Sequence, residues 1–143
     1  MDNYNVIVLM MRDNSTGILN EVVDSYIIET GIDLIEKIHL ENENDDYYIY
    51  LSLTTKDVED WEYYGIYELY EESIFDKYKI DVLDGSGDYN PRWILKLIYN
   101  EDRTQTEKII NDALKTHIAE LDRIMPLLNA DKEKYMKEAS EEE

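Results

Sequence analysis

Gly17-Ile18-Leu19-Asn20-Glu21-Val22-Val23-Asp24-Ser25-Tyr26-Ile27-Ile28-Glu29-Thr30-Gly31 is the stretch on which the fold turns. Leu19, Val22, Val23, Tyr26 and Ile27 recur at helical spacing, and Gly31 stands where a left-handed C-terminal cap would. The same residues are rich in Val, Ile and Tyr and poor in Ala, Lys and Leu, which suits a strand entered through a short polar turn. The helical reading is taken forward, and the strand remains its open alternative.

On the N-terminal side, Val6 to Met11 is continuously apolar, the pattern of a strand buried on both faces and central in a sheet. On the C-terminal side the chain alternates from Ile32: Leu34, Ile38 and Leu40 on one face, Lys37, His39 and Glu41 on the other. A polar loop, 41 to 46, leads to a second strand over 47 to 54, with Ile49, Leu51 and Leu53 inward and Tyr48, Tyr50 and Ser52 outward. These two strands should pair antiparallel. Residues 57 to 72 fit an acidic, aromatic helix with Tyr63, Ile66, Tyr67 and Tyr70 on one side. Short strands follow over 79 to 83 and 93 to 99.

Thr104-Gln105-Thr106-Glu107 has the form of a capping box, and Ile110, Leu114, His117, Leu121, Ile124 and Leu128 then repeat every three or four residues. That seam predicts a long helix packed on the sheet, ended or kinked at Pro126, with a short helix around 131 to 137 after it. The expected fold class is therefore α+β: one domain over 1–138 with an acidic tail, 139–143. It is built on a mainly antiparallel sheet of about five strands with the 57–72 and 104–125 helices on one face. If 18–30 is helical, the order β-α-β-β-α-β is ferredoxin-like.

The net charge is −20 over 143 residues, and it is local. Residues 41 to 76 hold twelve acidic side chains against one basic, together with seven of the thirteen tyrosines. Dense carboxylate among phenol rings repels phosphate backbones and anionic membranes and favours a cationic protein surface. The candidate partner-binding residues are Glu41, Glu43, Asp45 and Asp46 in the loop, and Glu59, Asp60, Glu62, Glu68, Glu71 and Glu72 on the helix. The same array could imitate the charge of a nucleic-acid duplex and compete for its groove. Direct nucleic-acid binding is not expected, since no basic patch is visible.

The absence of cysteine closes disulfide, zinc-thiolate and thiol-nucleophile chemistry. No basic n-region precedes the first apolar run, and no stretch approaches the roughly 18 apolar residues of a membrane span, so a cytoplasmic protein is expected. Asp84-x-Ser86-x-Asp88-x-Asn90 places oxygens at alternate positions, but Tyr89 stands where a calcium loop needs Gly and Leu95 where it needs Glu, so it reads as a solvated turn. His39 and His117 are separated by pattern and read as structural. No cofactor is expected, and no catalytic motif is present.

Two resemblances add to this reading. Asp57-Val58-Glu59-Asp60-Trp61-Glu62-Tyr63, with Tyr89-Asn90-Pro91-Arg92-Trp93, is similar to small acidic clostridial proteins of unknown function, over most of the chain. Gly17-Ile18-Leu19-Asn20-Glu21-Val22, followed by Glu29-Thr30-Gly31-Ile32-Asp33-Leu34, resembles the first strand-helix-strand unit of the ACT regulatory domain. That likeness implies an amino-acid sensor whose effector would sit at Asp13, Asn14, Gly17 and Asn20.

Overall fold

The computed structural model describes residues 5–85 and 90–142. Six strands form one mixed sheet: β1 (Val6–Arg12), β2 (Leu19–Ile27), β3 (Ile35–Glu43), β4 (Asp46–Thr54), β5 (Asp81–Asp84) and β6 (Arg92–Ile98). Their order is β2-β1-β3-β4-β6-β5. β1 and β3 run parallel, and the other neighbours antiparallel. The helices are α1 (Asp60–Leu69), α2 (Arg103–Ala130) and α3 (Lys132–Glu142), with 3-10 segments at Ile32–Leu34 and Glu72–Tyr78. None of these helices is long and apolar enough to cross a membrane.

The 18–30 stretch is a strand, not a helix, so the condition for a ferredoxin-like order is not met. Asp13 shapes the preceding turn by accepting from the Ser15 and Thr16 amides, and Gly17 completes it at φ 76°. The helical spacing has a physical origin. Val23 and Asn20 are extra residues opposite the register shifts at Leu9/Met10 and Met11/Arg12, and a bulge lengthens a same-face step from two residues to three, as between Leu19 and Val22, while Tyr26 faces the covered side.

The inner rows of the sheet are buried: Leu9, Leu40, Ile49, Leu51, Leu53 and Trp93. The outer rows are open, with Val8 47% and Ile98 65% exposed. The expectation that β1 is covered on both faces is thus corrected. Likewise 41–46 is not a loop: β3 runs to Glu43, β4 starts at Asp46, and a two-residue turn with Asn44 at φ 61° joins them. Polar side chains continue both strands because they stand on the face left to water.

On the covered face, α1 packs through Trp61, Gly65 and Ile66, and α2 through the buried Ile110, Leu114, His117, Ile124 and Leu128. Leu121, expected in that seam, is only half-buried. The N-cap of α2 is Asp102, whose carboxylate accepts from the amides of Thr104 and Gln105; Thr104 is already inside the helix. Pro126 does not break α2. The carbonyl whose helical partner it removes is that of Asp122, and both residues are exposed to solvent. The expected tail is helical through Glu142, because Tyr135 and Ala139, one turn apart, are buried.

Asn111 ties α2 to the sheet: its amide nitrogen donates to Ile27 O and its oxygen accepts from Glu29 N, at 2.9 and 2.8 Å. His117 does the same at the centre. Its Nε2–H donates to Thr54 O at 2.8 Å, and Nδ1 accepts from the Tyr70 hydroxyl at 2.8 Å, which fixes the neutral tautomer. Trp93 lies beneath, its ring centroid 4.1 Å from Tyr70 and 5.3 Å from His117.

A Cβ on Gly65 would stand 2.1 Å from Leu128 Cδ1 and 3.1 Å from Tyr135 Cγ. Gly65→Ala should therefore cost about 1–3 kcal/mol in a urea denaturation, despite the better helix propensity of Ala. Burial pushes the His117 pKa down from 6.5 to about 4, so protons bind the unfolded chain first. The stability this residue confers is complete above pH 6.5 and declines as pH falls toward 4. His117→Gln should be less stable than the parent at pH 7, and the gap should narrow by roughly 3 kcal/mol by pH 4. Parallel stability profiles would contradict the assignment.

Candidate functional site

The carboxylates singled out by charge lie in three places. Glu41 and Glu43 stand on the open face of the sheet and are engaged there. Glu41 meets His39 Nε2 at 2.6 Å and Arg12 Nη1 at 3.5 Å. Glu43 accepts from Lys96 Nζ at 2.8 Å and from the Tyr50 hydroxyl. Those two bonds hold the Glu43 carboxyl below its ordinary range, and Glu43 in turn raises the Lys96 ammonium. The His39 ring stacks on Tyr50 with centroids 5.3 Å apart, and the Lys96 ammonium sits 4.3 Å from the Tyr48 ring centroid.

Asp45 and Asp46 project from the hairpin tip into a recess of about 310 Å³, which they share with Tyr47, Tyr48, Tyr99 and Glu101. Ile98 closes its apolar side. The tight turn delivers Asp46, Tyr47 and Tyr48 consecutively. The Tyr99 amide donates to Tyr47 O at 3.1 Å, carrying the β4–β6 ladder one step further and setting Tyr99 beside them. Glu101 follows Asn100, whose carbonyl accepts from the Thr106 hydroxyl of α2 at 2.6 Å. Burial, then the nearby charges of Asp24 and Glu101, pushes the Tyr99 phenol up, so the ring stays neutral and donor-competent. No basic side chain is among the described residues lining this recess.

The α1 carboxylates belong to the helical layer on the other side of the sheet. Glu62 Oε1 accepts from the Glu59 amide, and Glu59 Oε2 from Trp61 Nε1, at 2.9 and 3.0 Å. Asp60 lies beside Trp61 and α3 in a shallow hollow, and Glu68 is 3.6 Å from Lys134 Nζ. Glu71 and Glu72 are exposed where the second 3-10 segment begins, its entry pinned by Glu120 accepting from Glu71 N at 2.8 Å. The ten carboxylates therefore do not form one face. The sheet separates them, and the continuous row that imitation of a duplex requires is not made.

At the opposite end of β4 a larger cleft of about 450 Å³ opens between the first 3-10 turn, the β4–α1 connection and α2. Of the candidate residues only Glu62 lines it. The alternative ligand loop is a hairpin turn. Asp13 is spent on the turn amides, the Asn14 amide donates to Asn42 O at 2.8 Å, and Asn20 is exposed on a strand. The strand-helix-strand unit on which the ACT resemblance rested is absent. The oxygen-rich loop, 84 to 90, falls partly outside the described residues.

Tyr99 and Glu101 were not singled out by sequence. The one signal for them is register: pairing 47–54 with 93–99 as antiparallel neighbours sets Tyr99 beside Tyr47. The cleft had a fainter trace in Ile118, Leu121 and Met125, an apolar strip running beside the α2 seam.

Compared with known proteins, the chain matches over residues 1–136 the model of a family of unknown function, DUF6762, and it belongs to that family. No match is found among curated proteins or among solved structures.

Proposed function

We propose that this protein is a non-catalytic interaction module that receives a cationic protein segment in the recess at the β3–β4 tip. The observation that carries the reading is the composition of that recess: Asp45, Asp46 and Glu101 beside the rings of Tyr47, Tyr48 and Tyr99. A lysine or arginine side chain gains twice there, from carboxylates that accept charge-assisted hydrogen bonds and from ring faces that attract cations. Tyr48 already holds the Lys96 ammonium against its ring, an intramolecular instance of the same contact. Phosphate and anionic lipid are repelled by the same side chains.

Of the ten candidate carboxylates, Asp45 and Asp46 carry the proposed contact. Glu41 and Glu43 serve the sheet through their own cations. The remaining six supply long-range attraction that salt screens within about 10 Å at 0.1 M.

A fluorescent peptide rich in Lys and Arg, followed by anisotropy, tests this. Asp45→Asn, Asp46→Asn and Glu101→Gln combined should weaken binding about tenfold, and binding should fall steeply with salt. Tyr99→Leu should weaken it at unchanged net charge. Glu71→Gln with Glu72→Gln, on the helical side, should leave it nearly unaltered. Equal losses from the recess and helical variants would show attraction to net charge alone and overturn the proposal.

A further inference from the structure

We propose a second, separate binding site, for a small apolar primary amine, in the cleft at the far end of β4. The walls come from four segments distant in sequence. The 3-10 turn contributes Leu34, the β4–α1 connection Val58, α1 Ile66, and α2 Ile118, Leu121 and Met125. The three α2 residues are spaced by three and four, so they form a strip along the edge of the buried seam. They are half-buried, packed against the core on one side and open to the cleft on the other. The volume, about 450 Å³, lies in the range of small-molecule sites.

The wall is held in place by backbone geometry. Gly31 adopts φ 79°, and a Cβ there would stand 2.5 Å from Ile118 Cδ1, so the turn presses directly on the α2 strip. Thr55 is equally fixed: its hydroxyl donates to Lys56 O, and the preceding Thr54 carbonyl is bound by His117. The cleft is therefore preformed, and little ordering opposes a ligand entering it.

The rim decides the sign of the ligand. Asp33, Asp57, Glu62 and Asp122 surround the apolar floor, against Lys56 as the one basic residue of the lining. Asp57 accepts from the Asn90 side chain and Glu62 from the Glu59 amide, whereas Asp33 and Asp122 have no hydrogen bond or ion pair among the described residues. No three acidic or histidine side chains of the described residues converge closely enough to hold a metal ion. Dispersed carboxylates around an apolar floor suit an ammonium head whose body lies on hydrocarbon, and they repel a carboxylate of the same shape.

The test uses the full chain with matched probes: hexylamine and phenethylamine against hexanoate and phenylacetate. The amines should raise the melting temperature and shift the methyl resonance of Met125, with no effect from the acids. Asp33→Asn combined with Asp122→Asn should weaken amine binding about fivefold or more in calorimetry. Leu121→Trp, which fills the cleft, should abolish it. Tyr99→Leu should leave it unchanged, which keeps this outcome distinct from that of the peptide experiment. Three results would overturn the site: no response to amines, an equal response to the acids, or amine binding indifferent to both cleft variants.

Discussion

The contact on which the rest of the molecule depends is the stack of Trp93, Tyr70 and His117 on the covered face of the sheet. It joins β6, the end of α1 and the middle of α2, and through the Thr54 carbonyl it also reaches β4. A histidine in that position works only as the neutral ring. Both nitrogens then have partners, and no charge is carried into a fully buried site. The arrangement fixes where β4 stops and therefore how the chain turns toward α1. The larger cleft lies at that turn, so its shape is a consequence of core packing.

Charge is distributed according to the same layering. The open face of the sheet is stitched by pairs that cancel: Arg12 with Glu41, Lys96 with Glu43, and Arg92 with Glu36. The first pair joins the neighbouring strands β1 and β3, where opposite charges support the pairing, and the other two reach from β6 across β4 to β3. Further carboxylates stand at the hairpin tip, at the exposed start of the second 3-10 segment and on the rim of the cleft. Local concentration of acid in the sequence thus became several separate places in space, because successive strand residues alternate between faces and α1 lies across the sheet from the hairpin.

What could be read beforehand was what depends on short-range pattern. The inward rows of β3, β4 and β6 follow from alternation, and the α2 seam from its spacing, since both elements are regular and half-buried. β2 was misread because its two bulges break strict alternation and its apolar residues come from both faces of the strand, so composition rather than spacing held the truth. The N-cap of α2 was placed two residues late: Thr104 looked like the cap of a box closed by Glu107, yet Asp102 accepts from the Thr104 and Gln105 amides and the Glu107 carboxylate accepts from Ile27 N. In the recess, Asp45 and Asp46 were visible as charge, whereas Tyr99 and Glu101 arrive by strand register. The cleft draws on residues from 30 to 125, and such convergence is a property of the tertiary structure alone.

The two cavities share one structural member, β4, whose first residues shape the recess and whose exit shapes the cleft. A strand of nine residues spans ~30 Å, which places the two sites beyond direct electrostatic reach of each other at physiological salt. β4 is paired along its length with β3 on one side and β6 on the other, so it has one arrangement, not two, to offer. Coupling between sites requires an element with two states that both ligands bias. The described structure connects these sites through a rigid central strand, and substitutions at one should therefore add to, and not modulate, those at the other.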